Sequence, residues 1–131
     1  MVGASHGALL TAVEHRFYGK SQPFDDLSKE SLEYLSAEQA LSDLAHFLNF
    51  ITKGEPYRPV IVVGGSYPGA LSAWFRSRYP QLSVGSWSSS GVVYPIQDFW
   101  AFDYQIFAST KKSGYECSTS IQKLMYEVFE D

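Results

Sequence analysis

The sequence is poor in cysteine, in clustered positive charge, in long apolar runs and in histidine, and each shortage removes a class of protein. Its single cysteine, Cys117, cannot form a disulfide within the chain. It is either a reduced intracellular thiol or half of a bond whose partner lies outside this chain. Ten Lys and Arg stand against 14 Asp and Glu, for a net charge of −4, with no basic run. That speaks against nucleic acid as a partner. No apolar run approaches the ~20 residues of a membrane-crossing helix, so no membrane span is expected. The start of the chain has no basic n-region, and its short apolar run ends at Glu14, so no signal peptide is read there. The three histidines, His6, His15 and His46, all precede residue 66.

What is present is apolar and aromatic. Of 131 residues, 45% are hydrophobic and 16% aromatic, which predicts a packed core in a chain of single-domain size. The stretch that organises it runs from Pro59 to Leu71, Pro-Val-Ile-Val-Val-Gly-Gly-Ser-Tyr-Pro-Gly-Ala-Leu. Val60 to Val63 read as a parallel strand covered on both faces, since all four are apolar and β-branched side chains dominate. Gly64 and Gly65 permit a sharp turn. Ser66 stands at the corner, and a helix follows through Leu71, Trp74 and Phe75. This is the pattern of a nucleophile elbow, G-x-S-x-G, except that Pro68 occupies the second glycine position and Gly69 comes one residue later. Proline is accepted in a first helical turn, where its missing N–H has no partner to lose. Two plainer readings compete: serine as an ordinary helix cap, and a phosphate site at a helix N-terminus. A P-loop would need lysine where Ala70 stands, and G-x-G-x-x-G is absent.

Around this stretch, Ala8 to Val13 reads as a strand and Lys20 to Lys29 as surface loop. Ser36 and Gln39 form a capping box ahead of a helix with an apolar stripe at Leu41, Leu44, Ala45, Leu48 and Ile51, ending before Gly54 with Pro56 and Pro59 beyond. The elbow helix should stop near Arg78, before Pro80. Leu82 to Trp87 reads as a third strand, Asp98 to Phe107 as an aromatic-rich helix, and Ile121, Leu124, Met125, Val128 and Phe129 as the stripe of a last helix. The fold class is α/β, with three parallel strands joined by right-handed crossovers. Three strands leave bare edges, and such a sheet wants roughly five or more. The expectation is therefore a partial α/β protein, truncated at both ends.

Several blocks resemble one family. Glu14-His15-Arg16-Phe17-Tyr18-Gly19-Lys20-Ser21-Gln22-Pro23, then Leu32-Glu33-Tyr34-Leu35, then Gln39-Ala40-Leu41-Ser42-Asp43-Leu44, then Gly64 to Gly69 follow in the order and spacing of the lysosomal Pro-X carboxypeptidase family of serine peptidases. A Ser-rich strand end and an aromatic segment, Trp87 to Tyr104, complete the likeness, which covers nearly the whole chain. The resemblance implies an α/β-hydrolase domain over residues 1–95, carrying the elbow, and the start of an inserted helical cap domain over 96–131. It implies a lysosomal, vesicular or secreted protein, and a cap disulfide at Cys117 with its partner beyond Asp131. Neither cofactor nor metal is implied.

The chemistry so implied is peptide hydrolysis after proline, of the carboxypeptidase or dipeptidyl-peptidase type. Ser66 would be the nucleophile and the Tyr67 backbone N–H one donor of the oxyanion hole. In this fold the triad runs Ser, then Asp or Glu, then His, and no histidine follows Ser66. The isolated chain is therefore expected to be inactive, its triad acid and base not being in this chain. Glu14, His15 and Arg16 read as a buried hydrogen-bonded network beneath the site, and His46 as a surface or packing residue. Asp43, Asp98 and Asp103 are acids that could orient a base, but none is where the family acid lies. Lys111, Lys112 and Lys123 could suggest a Ser–Lys pair but lie in polar, exposed stretches. Trp87, Tyr94, Phe99, Trp100 and Phe102 are either walls of a proline pocket or core. Two other functions stay open: another α/β-hydrolase such as an esterase or lipase, and a non-catalytic remnant that only binds.

Overall fold

The structure, a computed structural model, describes residues 2–53 and 58–129. The chain divides into two compact units, one running to Val93 and the other starting at Tyr94.

The first unit opens with a single helical turn, α1 (Val2–Ser5), and a long irregular segment. A second short helix, α2 (Lys29–Leu32), follows. Ser28 caps it by accepting from the Ser31 N–H at 3.2 Å, and Asp26 holds that cap by accepting from the Ser28 N–H at 2.8 Å. The first long helix, α3 (Ala37–Thr52), starts at the predicted cap: Ser36 is extended and its hydroxyl accepts from the Gln39 N–H at 3.3 Å. It stops at Lys53, whose left-handed φ of 50° breaks the helical path. Gly54 and Pro56, expected to enforce that stop, lie outside the described residues.

The core forms where α3 meets α4 (Tyr67–Arg78). Leu41, Ala45 and Leu48 of α3 pack on Phe75 of α4, which is fully buried. The spacing of the α3 residues, four and three apart, places them on one face. Val60, Val62, Leu71, Trp74 and Leu82 pack against this cluster from the strand ends and from α4. The sheet has two parallel strands, β1 (Ile61–Gly65) and β2 (Gly85–Ser89), with Val63 opposite Trp87.

Two strand expectations fail. Ala8 to Val13 is not a strand; among the described residues the sheet has two strands rather than three. An apolar run becomes a strand only where a neighbour completes its hydrogen-bond ladder, and here Leu9 and Leu10 are exposed and the Ala8 N–H turns back to the Gly3 carbonyl at 2.9 Å. Nor is β1 covered on both faces. Val62 points at the core, whereas Ile61 and Val63 on the other face are 65% and 64% exposed. The helices α3 and α4 cover only the face that Val62 shares. The third predicted strand is real but shifted, starting at Gly85 instead of Leu82.

The second unit contains α5 (Trp100–Thr110), a single 3₁₀ turn over Lys111–Ser113, and α6 (Tyr115–Phe129). The predicted stripe of α6 is helical as its spacing requires, yet Leu124, Met125, Val128 and Phe129 are all more than half exposed. No helix of the described residues is long and apolar enough to cross a membrane.

Candidate active site

Ser66 joins β1 to α4 with φ 59° and ψ −124°, a backbone conformation that suits glycine and strains any residue with a Cβ. Its N–H donates to the Ser89 carbonyl at the end of β2 at 3.0 Å, and its carbonyl accepts from the Ala70 N–H at 3.1 Å. The residue is exposed and its side chain makes no capping bond. The ordinary-cap reading requires that bond, so the strand–turn–helix corner presents a hydroxyl that is not spent on the helix.

Close approach around the corner explains the glycines. A Cβ on Gly64 would run into the Pro68 carbonyl. A Cβ on Gly69 would stand 2.9 Å from the Ser89 carbonyl oxygen and 3.0 Å from Gly91 Cα, both backbone atoms. Gly69 thus supplies the small residue that this corner needs against the neighbouring strand, which leaves the position before it open to Pro68 at the second place of α4. Ser72, buried one turn on, reaches the Gly69 carbonyl at 2.8 Å and the Trp87 carbonyl at 3.2 Å, tying α4 to β2.

A loop over residues 14–21 flanks the first turn of α4. His15 Nδ1 lies 2.8 Å from the Arg16 carbonyl, and its Nε2 lies 3.1 Å from the Tyr67 hydroxyl. Arg16 makes a two-pronged pair with Asp43 of α3, Nε to Oδ2 and Nη2 to Oδ1, both at 2.7 Å, and Nη1 donates to the Tyr34 carbonyl at 3.0 Å. The hydrogen bond to Asp43 raises the Arg16 pKa further, so the guanidinium stays charged. A cavity of about 350 Å³ lies between this loop, α3 and α4, with His15, Arg16, Asp43, Leu44, Tyr67 and Leu71 in its wall. Burial, followed by the nearby Tyr18 and Glu38, pushes the Tyr67 phenol pKa up and keeps its proton in place.

A sequence profile described as serine carboxypeptidase S28 matches residues 2–130. The chain belongs to the S28 family of serine carboxypeptidases. It is 44% identical over 124 residues to a probable serine protease EDA2 of Arabidopsis thaliana, and 40% identical over 125 residues to the lysosomal Pro-X carboxypeptidase of Homo sapiens. A serine protease vicPb of Bipolaris victoriae matches at 37% over 124 residues. These alignments cover 87–88% of this chain. The chain spans about a quarter of the length of those relatives (25%, 25% and 23%). The S28 family is one of serine peptidases, hydrolytic enzymes, as these names state.

The remaining predicted S28 residues fall in several places. The network of Glu14, His15 and Arg16 is not buried as expected. Glu14 is exposed, its carboxylate accepting from the Lys20 N–H at 3.0 Å and the Ser21 N–H at 2.8 Å. Only His15 and Arg16 reach toward α3 and α4, and both are half-buried. Asp43 is taken by Arg16 and is not free to orient a base. His46 is exposed on α3, as a surface residue should be. His6 lies 3.1 Å from Ser5 Oγ. Asp98, Asp103, Lys111, Lys112 and Lys123 are exposed in the second unit, with Lys123 3.9 Å from Glu127. Trp87, Tyr94, Phe99, Trp100 and Phe102 are each at least half exposed, which overturns their reading as core. Cys117 is an exposed free thiol in α6.

Sequence reasoning missed Ser72 and the pairing of Asp43 with Arg16. Ser72 left no local signal of its tie to β2, because the Trp87 carbonyl lies 15 residues away. Asp43 left one. It sits between Leu41 and Leu44, on the margin of an apolar stripe, where an acid needs a cation.

Proposed function

We propose that this chain is the nucleophile-bearing part of an α/β-hydrolase-fold serine peptidase that cleaves peptides after proline. Ser66 Oγ attacks the scissile carbonyl while a histidine takes its proton. The peptide C–N bond then breaks, the amine leaves with that proton, and water hydrolyses the Ser66 ester. The Tyr67 N–H, first in α4, is among the N–H groups of a first turn that lack an intrahelical partner, and in this reading it is the donor to the oxyanion. The observation that carries this reading is the backbone of Ser66: exposed, unbonded at Oγ, and strained at φ 59° between a parallel strand and a helix.

The acid and base come from sequence outside these residues. His15, the histidine next to the elbow helix, has both ring nitrogens engaged. The isolated chain is therefore inactive. In the same reading, residues to about 95 are hydrolase domain and those after it begin a helical cap, in which Cys117 forms a disulfide with a partner outside the chain. The lysosomal relatives support a lysosomal, vesicular or secreted site of action.

The test is a fluorophosphonate probe applied to this chain alone and carried in its natural flanking sequence. Labelling that is confined to the extended form and lost in Ser66→Ala supports the reading. No labelling in the extended form would leave a protein that only binds. Hydrolysis of esters but not of prolyl peptides by the labelled form would assign an esterase instead.

A further inference from the structure

We propose that His15 is a positioning residue for the oxyanion donor: by accepting a hydrogen bond from the Tyr67 hydroxyl, it holds the residue that follows Ser66 in its working place. This rests on the reading of Ser66 as nucleophile and adds a part to it. The direction of the bond follows from chemistry. The Arg16 carbonyl can only accept, so His15 Nδ1 must carry a proton. In the neutral ring Nε2 then has a lone pair, and the phenol donates to it across 3.1 Å.

The tether is anchored at its far end. The Tyr18 N–H donates to the His15 carbonyl at 3.0 Å, and the Tyr18 ring meets the His15 ring edge-on at 5.2 Å. Arg16, the next residue, is locked to Asp43 and to the Tyr34 carbonyl. The line therefore runs from α3 through Asp43, Arg16 and His15 to the ring of Tyr67, across 52 residues of sequence. The place it reaches is the weakest part of the elbow. A first helical turn has N–H groups without intrahelical partners, Pro68 contributes none, and Ser66 before it is strained. A tether through the Tyr67 side chain restrains its backbone N–H without occupying that N–H.

The test compares His15→Leu, Tyr67→Phe and the double variant, with His15→Gln as the conservative replacement, whose amide oxygen can accept from the phenol. In the 131-residue chain, the order parameter of the Tyr67 backbone N–H, read by 15N relaxation, should fall in either single variant and no further in the double. In the chain carried in its natural flanking sequence, the maximal rate of fluorophosphonate labelling should fall on the order of tenfold, below the ~10²–10³ of losing an oxyanion donor outright. The half-saturating probe concentration should stay unchanged, and His15→Gln should recover most of the rate. A merely structural role would lower the denaturation midpoint and leave the maximal labelling rate intact. Labelling as fast in His15→Leu as in the unsubstituted protein overturns the positioning role alone. No labelling of the unsubstituted protein overturns the nucleophile reading and this role with it.

Discussion

Replacing Ser66 with glycine should make the first unit more stable while removing the hydroxyl proposed as nucleophile. Holding a residue with a Cβ at φ 59° and ψ −124° costs about 1–3 kcal/mol. Glycine releases that strain but enlarges the freedom of the unfolded chain, which costs about 0.5–1 kcal/mol. The clean comparison is Ser66→Gly against Ser66→Ala, since both lack the hydroxyl and the position is exposed, so packing changes little. Glycine should be the more stable of the two by about 0.5–2 kcal/mol. Ser42 supplies the control. It is exposed in the middle of α3, at regular helical backbone, and there glycine should be about 1 kcal/mol less stable than alanine. The two positions should therefore give opposite signs. Urea denaturation read by tryptophan fluorescence is suitable, because Trp74 packs on the core while Trp87 and Trp100 are exposed. With a slope of about 1–2 kcal/mol per molar, the shift at position 66 is on the order of 0.5–1 M. If glycine falls below alanine at both positions, the corner is not strained, and the argument that a nucleophile is held there loses its basis.

Three further outcomes follow from the packing and the charges. Phe75→Ala removes the fully buried ring at the contact of α3 and α4 and should cost about 3–5 kcal/mol, seen as loss of cooperative unfolding by circular dichroism. Asp43→Asn breaks the two-pronged pair with Arg16; with Asp43 43% exposed, solvent screening should hold the loss to about 1 kcal/mol, shrinking further in high salt. Glu14 has its pKa lowered by its bonds to Ser21 and Lys20, so its contribution is present above the unfolded-state value and disappears as pH falls through the depressed folded value. The stability difference between the unsubstituted chain and Glu14→Gln should accordingly be present at neutral pH and vanish on the acid side of the usual glutamate range.

The elements whose cause is local could be read from the sequence. The cap at Ser36 and the stripe from Leu41 to Leu48 each depend on neighbours within one or two turns, and each stands where the spacing put it, whereas Gly64 and Gly65, expected to make the turn, lie in β1 and the turn falls on Ser66. The reading failed where a partner from elsewhere decides. Ala8 to Val13 has the composition of a strand but no ladder to join among the described residues. Ile61 and Val63 have the composition of a covered strand, but the described helices cover only the opposite face. The pairs that shape the candidate site are equally remote in sequence, 27 residues for Arg16 with Asp43 and 52 for His15 with Tyr67. The relevant blocks were visible one by one, yet no period in the sequence states that they touch.

The departure from G-x-S-x-G gives the sharpest remaining expectation, because it separates the letter of the pattern from its physical need. The need is a residue without a Cβ where α4 passes the end of β2. At Gly69 the atoms that a Cβ would meet are the Ser89 carbonyl oxygen and Gly91 Cα, both backbone and unable to step aside as a side chain could. That carbonyl is also the acceptor of the Ser66 N–H. An added methyl at residue 69 would therefore push on the bond that fixes the corner. Gly69→Ala should destabilise the unit by about 1–3 kcal/mol, the usual penalty of overpacking. Pro68→Gly would bring the sequence closer to the pattern, and yet it should also destabilise, by no more than about 1 kcal/mol, since glycine frees the unfolded chain at a site where proline fits the helix start. Denaturation midpoints of the two variants decide the matter. A Gly69→Ala chain as stable as the unsubstituted one, or a Pro68→Gly chain that gains stability, would mean that the second glycine of the pattern has not been moved one place along but lost.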